Sequence, residues 1–98
     1  MSESLFVFAT IEAVEGQVEA LLQELLQIVE PTRAEEGCRQ YFVHHDIDNT
    51  NRIHVFEEWR SKADMKQHMK TDHFRQFSRL TTSLVSKVSA KRMERKYQ

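Results

Sequence analysis

Residues 4 to 12, SLFVFATIE, place Leu5, Val7, Ala9 and Ile11 on one side of an extended chain and Phe6 and Phe8 on the other. Side chains alternate across a strand, so this stretch is apolar on both faces and each face needs a cover. A chain of 98 residues is expected to make one domain, residues 1–98, burying about two thirds of its unfolded surface. The second cover therefore has to be found in the remaining elements or in another molecule.

After Gly16, the residues Val18, Leu21, Leu22, Leu25, Ile28 and Val29 recur at the three-and-four spacing of an amphipathic helix. Pro31 removes a backbone donor and should kink or end that helix, and the polar TRAEEG closes at Gly37, read as a left-handed stop. CRQYFVHHD at 38–46 and RIHVFEEWR at 52–60 have strand composition, and DNTN at 48–51 is hairpin turn chemistry. Ser61 with Asp64 matches a capping box, so a helix should start as soon as Trp59 ends its strand. That helix carries Ala63, Met65, His68 and Met69, breaks or recaps at Thr71-Asp72, and continues through Phe74 and Phe77. Residues 83–93 supply a last strand.

The order is βαββαβ, which predicts an α+β, ferredoxin-like fold: a four-stranded antiparallel sheet with the helices on one face. The other face would be left bare although its residues are apolar. A broad apolar face in water is an association site, so a homodimer packed through the sheet face, a dimeric α+β barrel, is expected.

Hydrophobic residues are 40% and charged residues 30% of the chain, which excludes a disordered polymer. One cysteine, Cys38, forms no internal disulfide and no cysteine zinc site, pointing to a reducing cytoplasm. The N-terminal apolar run lacks the basic start of a leader and reads as a strand. No run approaches the roughly 20 apolar residues of a membrane span. Residues 87–96 hold five basic residues against one acidic, but these read as solvated strand charges, and no nucleic-acid partner is expected. With two glycines in the chain there is no phosphate-cradling loop or nucleotide-cofactor motif.

EEWRSKADMKQHMKTDHF at 57–74 concentrates the chemistry. His68 and His73 are five apart; on a continuous helix they diverge by about 140° and cannot clasp one ion. A break at Thr71-Asp72 could turn His73, but no third ligand has a recognisable spacing, so no metal is expected. Acid–base work fits better. His68 lies by the apolar stripe of Met65 and Met69, where burial favours a neutral, proton-accepting imidazole. Glu57 shares strand parity with Trp59 and would meet the same cleft. Glu58 points the other way. A packed core histidine is the bland alternative for His68, and a helix cap for His73. Tyr41, with Val43 and His45 on one strand face, would line the pocket, and Met65, Met69, Phe74 and Phe77 would supply its apolar lining.

EEGCRQY at 35–41 together with VFEEWRSKADMKQHMKTDHF at 55–74 resembles the antibiotic biosynthesis monooxygenase domain family. The match rests on Phe56, Glu57, Trp59, His68, His73 and Phe74 and extends over nearly the whole chain. The resemblance implies the dimeric α+β barrel already reasoned from the elements. It also implies one of several activities: quinol monooxygenase, cofactor-free oxygenase of polyketide aromatics, haem degradation, or isomerase of a phosphorylated signalling dione. Haem degradation is disfavoured because Ala9, His68 and Ser78 stand where that branch has asparagine, tryptophan and histidine. The expectation is a cofactor-independent monooxygenase of a small aromatic or quinol-like substrate, with molecular oxygen as co-substrate. His68 would be the base, Glu57 its orienting partner, His73 an auxiliary, and Trp59 and Tyr41 the walls. The alternatives are isomerisation of a small dicarbonyl, which a basic patch of Arg39, Arg60 or Lys62 in the cleft would favour, and a non-catalytic ligand-binding dimer.

Overall fold

The computed structural model describes residues 4–97. The chain runs β1 (Leu5–Ala13), α1 (Val18–Gln27), α2 (Val29–Arg33), β2 (Cys38–His45), β3 (Arg52–Trp59), α3 (Lys62–His68), α4 (Asp72–Thr81) and β4 (Val85–Met93). The strands form one antiparallel sheet in the order β2-β3-β1-β4, the ferredoxin-like arrangement read from the element order.

Strand parity decides which residues the helices cover. Val7 and Ile11 of β1, Tyr41 of β2 and Ile53, Val55 and Trp59 of β3 are buried beneath Leu21 and Leu25 of α1. The opposite parity stays open. Phe42, Phe56 and Phe8 stand opposite one another across β2, β3 and β1 and remain 46%, 41% and 44% exposed. Phe8 and Phe56 stack with ring centroids 4.7 Å apart.

The expected interruption of the first helix by the proline is met: α1 yields at Ile28, ahead of Pro31, because a proline ring inside a helix crowds the carbonyl four residues earlier. Pro31 then falls in the first turn of the short α2, where its missing donor leaves nothing unsatisfied. Gly37 is not left-handed; Gly16, with φ of 82°, is the positive-φ residue of the described chain. Gly37 is instead required for space, since a Cβ there would overlap the Asp64 side chain. This close approach, with the Arg60 backbone N–H donating to the Gly37 carbonyl at 2.8 Å, fixes the α2–β2 connection against the start of α3.

The helix starts follow their caps. Ser61 Oγ accepts from the Asp64 backbone N–H and donates to Asp64 Oδ2, and Thr71 Oγ1 accepts from the Phe74 N–H. The break between α3 and α4 is therefore built into the sequence by a second capping residue.

Candidate active site

A cavity of about 350 Å³ lies between the covered sheet face and the helices. Its floor is a cross-strand row, Tyr41, Glu57, Val7 and Arg92, one residue from each strand in register. Ala9, Val55 and Ala90 form the next row, Ile11 and Val88 a third, and Leu25, Met65, His68, Met69, Phe74 and Phe77 complete the lining. The walls are thus mostly hydrocarbon, with a phenol, a carboxyl, an imidazole and a guanidinium as the ionisable groups among the described residues.

His68 is the last residue of α3 and only 4% exposed. Its Nδ1 lies 2.7 Å from Glu35 Oε2, and the same oxygen lies 2.7 Å from Nε2 of His73, the second residue of α4. A carboxylate can only accept. With Glu35 ionised, both rings turn an N–H toward it, and the lone pair of the His68 ring, which lines the cavity, is left on Nε2. Burial holds the His68 imidazole below its usual pKa, opposed by Glu35 and reinforced by His73. The ring is further fixed by Trp59 and Phe74, with centroids 4.8 and 4.9 Å away. Thr71 Oγ1 donates to the His68 carbonyl at 2.7 Å, tying the end of α3 to the cap of α4.

Glu57 is the second polar pole. Its Oε1 accepts from the Trp59 indole N–H at 2.8 Å. Burial nevertheless raises its pKa to about 7; the indole bond pulls it down and Glu35 pushes it up. Near neutrality this carboxyl can donate a proton as well as accept one. Tyr41 is raised far above the ordinary phenol value, chiefly by burial and then by Glu57, so its hydroxyl stays protonated. Burial also raises the neighbouring Cys38 thiol to about 11, which removes it as a nucleophile at neutral pH.

Glu57, Tyr41, His68, Met65, Met69, Phe74 and Phe77 are brought together on the cavity. Trp59 is fully buried and stands behind Glu57 and His68 rather than on the cavity surface. His45 has the right parity but sits at the hairpin end of edge strand β2, where its Nε2 meets the Thr50 carbonyl at 2.8 Å, so it is not a pocket residue. His73 touches the site through Glu35 and lines a separate outer recess. Glu57 is not the partner of His68; Glu35 is. The helical-phase argument against convergence of the two histidines fails as well, because α3 ends at His68 and α4 restarts at Asp72. Arg39 and Arg60 are engaged with Glu58 and with Asp64 and Glu36 away from the cavity. Arg92, unremarked in the sequence, lines the cavity and an adjoining recess shared with Lys62.

The family model for antibiotic biosynthesis monooxygenase matches residues 4–80. The chain belongs to the antibiotic biosynthesis monooxygenase family. Among relatives within it or of its fold, the crystal structure of PA3566 from Pseudomonas aeruginosa is 39% identical, covers 99% of this chain and 98% of that one, and gives a TM-score of 0.95. YcnE of Bacillus subtilis, named as a candidate monooxygenase, is 37% identical over 59 residues, 60% of this chain and 62% of its own length. The structure of Rv0793 from Mycobacterium tuberculosis, 24% identical over 97% of this chain and 95% of that one, shares the fold with a TM-score of 0.89. The matched stretch spans less than two thirds of the curated relatives' own length, from 40% to 62%. No helix of the described residues is long and apolar enough to cross a membrane.

Proposed function

We propose that this family member is a cofactor-independent monooxygenase of a small aromatic or quinol-like substrate, acting as one domain and as a homodimer in a reducing cytoplasm. The observation that carries the reading is His68, which lines an apolar cavity while its Nδ1 is held by Glu35, an arrangement that leaves Nε2 for a substrate. A base of that kind needs no bound cofactor if the substrate supplies the electrons. His68 Nε2 takes the proton of a hydroquinone hydroxyl, and the resulting anion reduces molecular oxygen as a carbon–oxygen bond forms beside the former hydroxyl carbon. Loss of the remaining ring proton with cleavage of the O–O bond releases water and leaves a carbonyl. The sum is hydroquinone plus oxygen giving hydroxyquinone plus water. Glu57, near its midpoint at neutrality, supplies the proton that the departing hydroxide needs, and Tyr41 donates a hydrogen bond to a substrate oxygen. The apolar walls exclude water, and base catalysis of this kind contributes about 10²- to 10⁴-fold.

The decisive test is isotopic. Chelator-treated protein given menadiol under ¹⁸O-labelled oxygen should yield product with one labelled atom, whereas uncatalysed autoxidation yields the quinone with none. Product with no label above the protein-free control overturns the reading.

Arg92 supports a second reading, isomerisation of a small phosphorylated dicarbonyl, because it sets a cation on the cavity beside the recess that holds Lys62. His68 would then move a proton between adjacent carbons without consuming oxygen. An apolar cavity with a positioned base argues for either enzyme over a purely ligand-binding dimer.

A further inference from the structure

The geometry points to a divalent transition-metal site at Glu35, His68 and His73, whose occupation switches off the base. One carboxylate oxygen from the α2–β2 connection and two imidazole nitrogens from α3 and α4 lie within 4.8 Å of one another. Nitrogen and carboxylate donors of this type suit zinc, which binds them at about 2.0–2.2 Å. In a tetrahedral site such donors stand about 3.3 Å apart. Glu35 Oε2 is now 2.7 Å from each nitrogen, so the carboxylate has to withdraw by a fraction of an ångström, and the two nitrogens, which lie within 4.8 Å of one another, have to close toward the tetrahedral spacing. Glu35 lies in the connection between α2 and β2 and His68 ends α3, the two places where the site can give. The His73 and Glu35 side chains are 22% and 12% exposed, and the outer recess beside His73 also holds Glu24, giving a cation a route in from the surface. The fourth position is left for water.

Binding alters the chemistry through proton positions alone. In the metal-free site His68 carries its proton on Nδ1 and His73 on Nε2, both directed at Glu35. A metal needs those two nitrogens as lone pairs, so any proton on them moves to the other nitrogen of its ring. His68 Nε2, the nitrogen left for a substrate, becomes an N–H donor. The same ring then has no lone pair to offer a substrate, and turnover stops although the cavity is unchanged. The inhibition half of this inference rests on the proposed function; the binding half does not.

Zinc itself is the probe. Titration calorimetry on chelator-treated full-length protein should show one saturable zinc per chain. Affinity should fall at least 10-fold in His73→Ala and in Glu35→Gln, and should be retained in His45→Ala, which removes an exposed histidine at the β2–β3 hairpin end. Circular dichroism of each variant without zinc establishes that it is folded. Absence of saturable binding, binding undiminished in folded His73→Ala, or loss of binding in His45→Ala alone overturns the site. Saturating zinc should lower the wild-type rate at least 10-fold, while the His73→Ala rate, taken relative to its own metal-free value, should not respond at the same zinc concentration. Zinc seated at the triad with full turnover overturns the tautomer switch. If no tested substrate turns over in metal-free protein, the proposed function fails and the calorimetric arm still decides the site.

Discussion

Glu35 joins two rings that lie 33 and 38 residues further along the chain. Nothing local marks it: it is one of two adjacent glutamates, and its neighbour Glu36 is an exposed partner of Arg60. His68 was readable because an imidazole beside two methionines on a helix stripe is burial-prone, but its partner depends on where the α2–β2 connection passes, which periodicity does not encode. As a positioning residue, Glu35 should affect rate more than binding. Glu35→Gln should lower kcat by about 10- to 1000-fold with little change in KM, measured by oxygen uptake. Glu57 makes a prediction in pH. Its pKa is 4.5 ordinarily and about 7 in the fold, so between those values the folded state holds more protons than the unfolded one. Stability must then fall as pH rises from 4.5 through 7, by up to about 3 kcal/mol from this group. Because the depressed pKa of His68 acts with the opposite sign, the Glu57 contribution is read as a difference: urea unfolding across that range should show wild-type stability falling relative to Glu57→Gln as pH rises. Trp59→Ala is a poor probe of chemistry, since removing a fully buried indole costs about 3–5 kcal/mol.

At the scale of elements, the strands were legible because apolar alternation and turn residues bracket them, and α3 and α4 because Ser61 and Thr71 cap them. What the pattern concealed was the consequence of the second cap. Restarting the helix at Asp72 redirects His73, so two side chains with divergent phase on one helix converge from two. Thr71→Ala removes the Phe74 cap bond and the tie to the His68 carbonyl. It should cost about 1 kcal/mol by chemical denaturation, and activity should fall by more than that loss of stability explains. Gly37 was read for its backbone freedom when its role is lack of volume. Gly37→Ala forces a methyl into Asp64, which Arg60 and Ser61 hold in place, and should destabilise by about 1–3 kcal/mol; a melting temperature equal to wild type would show that Asp64 moves freely.

For the whole molecule, the leading strand posed the question of a second cover, and the described chain answers it for one face only. The open face carries the Phe42–Phe56–Phe8 row and, beside it, Thr10, His54 and Asp46 joined at 3.0 and 2.7 Å. Apolar surface with a satisfied polar network fits burial against a second copy. Sedimentation should give a dimer at micromolar concentration, and Phe56→Arg should give folded monomers; a monomeric wild type contradicts the homodimer. Within each protomer, the proposed role of the His68 imidazole, positioned by Glu35 beside an apolar cavity, is to make a hydroquinone reactive toward oxygen without a bound cofactor. Oxygen-uptake rates of chelator-treated wild type and folded His68→Ala with menadiol are its sharpest test. A wild-type rate well above autoxidation and a variant rate at least about 100-fold lower are expected; a His68→Ala rate equal to wild type contradicts this role.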